Sequence, residues 1–445
     1  MIRKRVIIIG AAGRDFHNFN IYFRNNNDYE VVAFTANQIP EIDGRTYPAE
    51  LAGVFYPQGI PVYLQEELAD LIKTLCIDTC VFSYSDITYQ EVMNVSAIVN
   101  SAGAEFMLLG PRQTMISSSK PVISVCATRT GAGKSQTSRK IVKTLMDKGF
   151  KVVAIRHPMP YGDLVKQKVQ RFATIDDLAK HECTIEEMEE YEPHIARGNV
   201  IYAGVDYEAI LRAAENDPEG CDIILWDGGN NDFSFYKPDL SIAVTDPHRV
   251  GSELSYYPGE VVLRTADVVI INKIDSAEQE NIDQLTENIG LVNPQAKIIT
   301  AESAISVDNP EVIKGKRVLC IEDGPTLTHG EMKIGAAVIA AEKFGASEIV
   351  DPRPFTVGKL SRTFKRYPNI GKLLPAMGYG SEQISDLEKT IKNTNCDSVI
   401  IGTPIDLTRI VNIDKPNTRV YYDLEEMGKT NLDDILNDFV SEFVK

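Results

Sequence analysis

Short apolar runs alternate with longer segments of helical periodicity along the whole chain. Because the apolar runs are continuous rather than alternating, they are typical of strands covered on both faces, as in parallel sheets. Strand–helix alternation of this kind predicts an α/β fold with mostly parallel sheets. Predicted strands span residues 5–9, 31–35, 80–83, 106–109, 122–126, 152–156, 223–226, 240–244, 268–271, 297–300, 317–321, 398–401 and 420–422. Predicted helices include residues 66–76, 135–148, 331–344 and 381–393.

The length of 445 residues exceeds what one hydrophobic core usually organises, and it suggests about three domains. A polar, proline-terminated segment, Ser117-Ser118-Ser119-Lys120-Pro121, directly precedes a new strand and predicts a boundary after residue 119. A weaker boundary is predicted near residue 300. The expected domains are therefore residues 1–119, 120–300 and 301–445.

The first strand runs into a glycine turn, Gly10-Ala11-Ala12-Gly13. Such a turn can place a phosphate at a helix N-terminus, but the full GxGxxG pattern of dinucleotide sites is absent. A Rossmann-like N-terminal domain without a bound dinucleotide is therefore favoured. Asp15, His17 and Asn18 either face a ligand or are ordinary loop residues, and the sequence does not separate these alternatives.

The strongest chemical signal is the run Ala127-Thr128-Arg129-Thr130-Gly131-Ala132-Gly133-Lys134-Ser135, which lies between a predicted strand and a predicted helix. Glycines let backbone N–H groups approach phosphate oxygens, the lysine reaches the β- and γ-phosphates, and the serine hydroxyl can ligate Mg²⁺. The motif departs from its consensus only at Thr128, where glycine is usual. The residues expected to bind nucleotide are Thr130, Gly131, Ala132, Gly133, Lys134, Ser135 and Gln136.

A second apolar strand ends in an acidic residue, Asp227, followed by Gly228 and Gly229. A carboxylate at this strand end is where a P-loop protein holds Mg²⁺. Ser135 and Asp227 are therefore predicted to be metal ligands, and residues 120–300 are expected to form a P-loop nucleotide hydrolase or transferase domain.

A third apolar strand runs into Asn272-Lys273-Ile274-Asp275, the NKxD pattern that reads guanine in P-loop GTPases. A carboxylate at Asp275 can accept the N1–H and N2–H₂ of guanine, a donor pair that adenine lacks. Lys273 would cover the base and Asn272 would tie the base loop to the P-loop. The nucleotide is therefore predicted to be GTP or ATP, with guanine favoured by these residues.

Two further loops follow strands of the P-loop domain. Arg156 and His157 lie where switch loops usually occur and are candidate substrate contacts, unless the segment is only a proline-shaped connection. His248 and Arg249 follow another strand and are candidates for a proton shuttle and a transition-state cation, unless they are surface polar residues. The predicted catalytic set is Lys134, Asp227, His248 and Arg249.

A window from residue 352 to residue 381 contains no Asp or Glu. Its cations are Arg353, Lys359, Arg362, Lys365, Arg366 and Lys372. In a chain of net charge −17 this window suggests an anionic small-molecule partner, held in loops because glycines interrupt it. Contact with an acidic face of the same protein is the alternative. Thr328 and His329, after another strand, are further candidate substrate contacts in this C-terminal α/β substrate region.

Composition limits the classes of partner, the kinds of metal site and the cellular compartment that fit this chain. A net charge of −17 argues against a nucleic-acid partner. No apolar run approaches the ~20 residues that a membrane span needs. Seven cysteines without CxxC or Cys/His ligand spacing indicate reduced thiols rather than a zinc site. A cytoplasmic enzyme is expected, and a homodimer is one option because large α/β enzymes of this kind are often dimers, although no segment predicts an interface.

Several segments together give a family resemblance. They are ATRTGAGKS, WDGGNND, TDPHRVGSELSYYPGE, INKID, EDGPTLTHG and LLPAMGYG. In this combination the chain resembles predicted P-loop GTPases of the cyclic 2,3-diphosphoglycerate synthetase-like type. The resemblance implies closure of an intramolecular phosphoanhydride in 2,3-diphosphoglycerate, with hydrolysis of a nucleoside triphosphate to the diphosphate and phosphate. It also implies that Lys134, Ser135 and Asp227 hold triphosphate and Mg²⁺, and that the basic window holds the diphosphoglycerate.

Two other functions stay open from the residues. A switch or metallochaperone-type GTPase would act on a partner protein, although no Cys/His cluster is visible near the switch loops. A sensor of coenzyme A or a dinucleotide would use the N-terminal domain, although the GxGxxG pattern is missing.

Overall fold

The structure is a computed structural model that describes residues 3–11, 13–36, 45–157, 162–229, 231–324, 327, 335–376 and 381–444. The strands are β1 Lys4–Ile9, β2 Tyr29–Ala36, β3 Thr46–Tyr47, β4 Ile60–Leu64, β5 Thr79–Phe82, β6 Ile87–Thr88, β7 Glu105–Leu108, β8 Val122–Ala127, β9 Val152–Arg156, β10 Val169–Phe172, β11 Val200–Gly204, β12 Ile223–Asp227, β13 Leu240–Thr245, β14 Tyr256–Tyr257, β15 Val268–Ile271, β16 Lys297–Val307, β17 Arg317–Asp323, β18 Glu348–Ile349, β19 Leu374–Ala376, β20 Ser398–Ile401 and β21 Asn417–Met427.

The α-helices are α1 Arg14–Asn18, α2 Ala49–Ala52, α3 Leu68–Thr74, α4 Tyr89–Ala102, α5 Pro111–Thr114, α6 Lys134–Asp147, α7 Ile175–Lys180, α8 Ile185–Ile195, α9 Tyr207–Glu215, α10 Gly259–Thr265, α11 Gln279–Val292, α12 Ala336–Lys343, α13 Gly358–Arg366, α14 Ser381–Asn393 and α15 Leu432–Phe443. None of the helices in the described ranges has both the length and the apolar character needed to cross a bilayer.

The N-terminal part forms a six-stranded sheet of order β3-β4-β2-β1-β5-β7. Its strands are parallel except for β3, which pairs antiparallel with β4. Residues 6–9 at the centre of the sheet are fully buried, because helices cover both faces. The prediction of an α/β fold with mostly parallel sheets is confirmed here and in the second sheet.

A thirteen-stranded sheet contains the rest of the described strands except β6 and β14. Its central strands have the order β11-β9-β12-β8-β13-β15-β16, and all of them run parallel. The boundary predicted at residue 300 falls inside β16, so residues 120–300 and 301–445 share one sheet. β6 of the N-terminal part pairs with β14 and links the first sheet to this body.

The strand β16 reverses the direction of the sheet. Its residues 297–300 pair parallel with β15, and residues 300–307 continue past that edge and pair antiparallel with β21. β20 and β17 run parallel with β21, so they point back toward the P-loop domain. The carboxyl ends of the central and C-terminal strands therefore face each other, and loops from both groups meet around α8.

Candidate active site

The P-loop forms the connection between β8 and α6. Gly131 and Gly133 have φ values of +79° and +110°, which side-chain-bearing residues rarely adopt. A Cβ at Gly133 would also collide with the side-chain amide of Asn272. Thr128, at the position where the consensus has glycine, keeps a negative φ. The backbone turn that the motif requires is therefore present despite the departure at Thr128.

Lys134 and Asp227 form a buried ion pair at the start of α6. Lys134 Nζ lies 2.6 Å from Asp227 Oδ1, and Ser138 Oγ donates to the same oxygen over 2.7 Å. Burial, followed by the nearby Arg156 guanidinium, lowers the pKa of Lys134. Burial alone would raise the pKa of Asp227, but Lys134 and Arg156 hold it well below its ordinary value. Asp227 is therefore an anion at neutral pH, surrounded by cations.

Arg156 and His194 complete the surroundings of Asp227. Arg156 donates to the backbone oxygen of Gly228 over 2.5 Å and pairs with Glu190 over 2.5 Å. Arg156 Nη1 and His194 Nε2 each lie 3.6 Å from Asp227 Oδ2. Arg156, predicted as a substrate contact, is thus buried, and its contacts are with the end of the strand that carries Asp227 and with Glu190.

The loop Asn272–Asp275 contacts the P-loop directly. Asn272 Nδ2 donates to Ala132 O over 2.8 Å, and Lys273 Nζ donates to Gly131 O over 2.6 Å. The side chain of Asp275 is exposed, and its Oδ1 accepts the Ser303 N–H over 3.1 Å. The loop is therefore tied to the P-loop at two points, and it presents the carboxylate of Asp275 to solvent.

The buried carboxylate of Asp246 forms ion pairs with two cations beside the P-loop, Lys273 and Arg249. It lies 3.1 Å from Lys273 Nζ and 2.9 Å from Arg249 Nη2. Burial opposes its ionisation, but Lys273 and Arg249 lower the pKa of Asp246 to about 2. Arg249 also donates to Thr130 O over 2.7 Å, so it braces the P-loop. His248 is exposed and lies 3.0 Å from Ser276 Oγ, beside the Asn272–Asp275 loop.

A residue of the N-terminal part also binds the P-loop. Asp86 accepts from Arg129 Nε and from Thr130 Oγ1, each over 2.7 Å. The side chains of Arg129 and Asp86 are 5% and 8% exposed, and the guanidinium of Arg129 stacks over the ring of Tyr256. The P-loop is therefore held in part by a residue of the N-terminal part of the chain, in the loop between β5 and β6.

The glycine turn after β1 faces the strand ends of the P-loop domain. Arg14 Nε pairs with Asp232 over 2.5 Å in a fully buried contact, and His157 Nε2 lies 3.4 Å from the same carboxylate. Burial lowers the pKa of His157 despite Asp232, so His157 is neutral at neutral pH. A neutral, buried imidazole is poorly suited to the anion contact predicted for His157.

Part of the basic window is helical and not the loop predicted from its glycines; Gly371 lies in irregular backbone, and Gly378 and Gly380 lie outside the described residues. Residues 358–366 are the helix α13, whose buried residues are Leu360 and Phe364. Lys359 pairs with Glu382 on α14, and Arg353 pairs with Asp351, so part of the window contacts acidic residues of the same chain. The other helix cations Arg362, Lys365 and Arg366 are exposed. Thr328 and His329 lie outside the described residues.

Several residues around Asp227 were missed by the sequence reasoning. Ser138, Glu190 and His194 lie on helices and carry no motif spacing. Asp86, which contacts the P-loop, lies in the N-terminal part of the chain in a short loop with φ +59°. The sequence signal for Glu190 and His194 was the run of five glutamates and one histidine in α8. In the sequence alone this run resembles an ordinary solvent-exposed helix, because the burial of these residues depends on the tertiary structure.

Comparison with known proteins corrects the family assignment. The chain is 60% identical over 443 residues to the arginine synthetase ArcE of Thermococcus kodakarensis, covering 100% of this chain and 98% of that protein. The cyclic 2,3-diphosphoglycerate synthetase of Pyrococcus furiosus is 22% identical over 228 residues, covering 44% of this chain and 51% of that protein. The assignment to the cyclic 2,3-diphosphoglycerate synthetase-like family is therefore wrong, since the motifs behind it are shared only distantly and over part of the chain.

The other comparisons find less similarity to this chain. No known protein-family model matches the chain. A structure of LpxK from Aquifex aeolicus in complex with ATP overlaps 79% of this chain and 96% of that chain, with a TM-score of 0.43 and 12% identity. A cobyrinic acid a,c-diamide synthase from Mycobacterium smegmatis overlaps 41% of this chain and 72% of that chain, with a TM-score of 0.19 and 15% identity. Overlaps this weak support no argument about activity.

Proposed function

This chain belongs to the arginine synthetase ArcE family, and on that basis we propose that it forms arginine in a reaction driven by a nucleoside triphosphate. The observation that carries the proposal is the Lys134–Asp227 pair at the end of the P-loop. The diphosphoglycerate substrate depended on the overturned family assignment and is not carried further.

Phosphoryl transfer fits the chemistry of making a guanidino group. A ureido amino acid differs from arginine by one carbonyl oxygen in place of nitrogen. Transfer of the γ-phosphoryl group to that oxygen forms an O–P bond and releases the nucleoside diphosphate. Ammonia then attacks the same carbon, phosphate leaves with the oxygen, and arginine remains. A P-loop site supplies the positioned cation that this transfer requires.

Lys134 and Asp227 would separate when nucleotide binds. Lys134 would turn to the β- and γ-phosphates, which carry more negative charge than one carboxylate. That movement would release the lysine from Asp227 Oδ1, which still accepts from Ser138 Oγ, and the Asp227 carboxylate and the Ser135 hydroxyl would then be the groups that hold Mg²⁺. Oxygen ligands from one carboxylate and one hydroxyl fit the few protein contacts that Mg²⁺ usually makes. When bound, the ion would neutralise charge on the transferring phosphoryl group.

The base would lie along the Asn272–Asp275 loop, which is already fixed to the P-loop. Asp275 presents a carboxylate there, and this group favours guanine because adenine offers no matching pair of donors. Gln136 and Ser303 are joined by a 3.2 Å hydrogen bond next to this loop. The preference between GTP and ATP is thus assigned to one side chain that can be changed.

The test uses the purified full-length protein with Mg²⁺, ammonium, a δ-ureido amino acid and either ATP or GTP. We expect arginine and phosphate in equal amounts, each dependent on all components. Lys134→Ala should lose both products by roughly two or more decades in kcat. Phosphate release that ignores the ureido amino acid, with no arginine formed, would overturn the proposal and favour the switch-type GTPase.

A further inference from the structure

The end of α8 places His194 beside the carboxylate of Asp227. His194 is 4% exposed, and its Nε2 lies 3.6 Å from Asp227 Oδ2. Its Nδ1 lies 3.2 Å from Nδ2 of Asn199, which is 2% exposed. The backbone N–H of Asn199 also donates to the carbonyl oxygen of His194 over 3.1 Å. Asn199 therefore contacts His194 through both its backbone and its side chain, and the imidazole turns its other nitrogen toward Asp227.

The position of Asn199 follows from the turn that ends α8. Gly198 has a φ of +76°, and its N–H donates to Ile195 O over 2.9 Å. A residue in this left-handed conformation ends many helices, and glycine adopts it without strain. The chain then enters β11, which pairs with β9 next to β12. Asn199 is therefore fixed between a helix end and a central strand of the sheet.

The nitrogen of His194 that faces Asp227 carries a hydrogen. Because Asn199 Nδ2 donates to Nδ1, the proton of the neutral ring lies on Nε2. With the Asn199 amide turned over, Nδ1 would donate to the amide oxygen instead. A bare lone pair on Nε2 would then repel the carboxylate, so Nε2 would need a hydrogen in that case as well. His194 therefore presents an N–H group to Asp227 Oδ2 in either arrangement.

Arg156 does not replace this donor. Its Nη1 donates to the backbone oxygen of Gly228 over 2.5 Å and to that of Asp227 over 3.3 Å. The two hydrogens of Nη1 thus have backbone partners, although this nitrogen also lies 3.6 Å from Asp227 Oδ2 and contributes positive charge there. Once Lys134 turned to the phosphates, His194 would be the hydrogen-bond donor that remains for Oδ2 among the described residues.

We propose that His194, held by Asn199, is a positioning residue that fixes the orientation of the Asp227 carboxylate for Mg²⁺, an assignment that rests on the proposed nucleotide chemistry. A carboxylate without such a donor can rotate about its own bond, and carboxylates that bind metals are usually held by hydrogen bonds from residues around them. His194 does not itself bind the ion, because the nitrogen that faces Asp227 carries a hydrogen and Mg²⁺ prefers oxygen ligands.

The experiment measures binding of Mn²⁺, a paramagnetic probe of the Mg²⁺ site, by electron paramagnetic resonance. The full-length protein is kept in excess over the β,γ-imido analogue of GTP or ATP, without amino acid, so that no turnover occurs. His194→Ala should weaken Mn²⁺ binding by about 10- to 100-fold, the usual effect of losing a group that orients a metal ligand. His194→Gln, whose amide N–H can occupy the position of Nε2, should restore most of that affinity. Asn199→Ala should fall between the two, and nucleotide affinity measured without metal should not change in any of them.

The matched control is His181→Ala at the end of α7. The ring of His181 packs against Phe172, with ring centroids 4.9 Å apart. Mn²⁺ binding to this variant should match the wild type. Wild-type binding by His194→Ala, or equal loss in His194→Ala and His194→Gln, would overturn the positioning role. If circular dichroism shows that His194→Ala does not fold, Asn199→Ala decides, since wild-type Mn²⁺ affinity in that variant would also overturn it.

Arginine synthesis and Mn²⁺ binding separate the two proposals. If the wild type makes no arginine but its Mn²⁺ binding depends on His194, the proposed function fails and the positioning role stands. If the wild type makes arginine and His194→Ala binds Mn²⁺ with wild-type affinity, the positioning role fails and the function stands.

Discussion

Asp227→Asn and Lys134→Met should differ in their effect on the free energy of unfolding, although the two side chains are paired. The carboxylate of Asp227 faces Lys134 at 2.6 Å and both Arg156 and His194 at 3.6 Å. Removing its charge leaves the buried cations Lys134 and Arg156 with Glu190 as their nearby anion among the described residues. Uncompensated buried charge costs about 3–5 kcal/mol. Removing the charge of Lys134 still leaves Asp227 with Arg156 at 3.6 Å and relieves repulsion between the two cations, so Lys134→Met should lose clearly less stability than Asp227→Asn.

The assay is urea unfolding followed by circular dichroism and by the fluorescence of Trp226, the single tryptophan, which is fully buried beside Asp227. Coincident transitions by both probes would justify comparing free energies. Both variants should lack turnover, so activity alone does not distinguish them. Because the pKa of Asp227 is depressed, its contribution is present above about pH 4 and is lost as pH falls through the folded pKa. A Lys134→Met variant as unstable as Asp227→Asn would refute this reasoning.

Three other changes test separate parts of the structure. Asp275→Asn should lower kcat/KM for GTP by about tenfold or more and favour xanthosine triphosphate, and kcat/KM for ATP should not change. If the wild type used ATP and GTP equally well, Asp275 would not recognise the base. Burial raises the pKa of Glu322 to about 8, so the wild type should lose stability from about pH 4.5 to 8. Glu322→Gln should lack that decline in urea unfolding, and parallel pH profiles would show that Glu322 is ionised. Asp86→Ala should raise the nucleotide KM by about tenfold by freeing Arg129 and Thr130, with thermal unfolding as the control for folding; an unchanged KM would mean that the contact is only structural.

Much of the local structure could be predicted from contiguous residues. The helix predicted at 381–393 is found at Ser381–Asn393, and the strand predicted at 122–126 is found at Val122–Ala127. The strand Val200–Gly204 was not predicted, although all five of its residues are buried. Its run is short, and its burial depends on β9 and β10 pairing on either side.

For the basic window, residues 352–381, composition was a poor guide to local structure. Six cations without an anion suggested a ligand pocket in loops. The segment instead contains an amphipathic helix, and some of its charge partners come from neighbouring residues in space and in sequence. Charge counts along the chain do not reveal which partners the fold supplies.

The sequence by itself determined the nucleotide loop, because the strand, glycine turn, lysine and helix start are adjacent and their backbone geometry is local. It also identified Asp227 at a strand end. Only the tertiary structure decided what surrounds these groups. The packing of α8 beside the strand ends brings His194 to Asp227 and Glu190 to Arg156. Those helix residues are unremarkable along the chain, and their chemistry depends on burial and on neighbouring charges, which exist only after distant segments pack together.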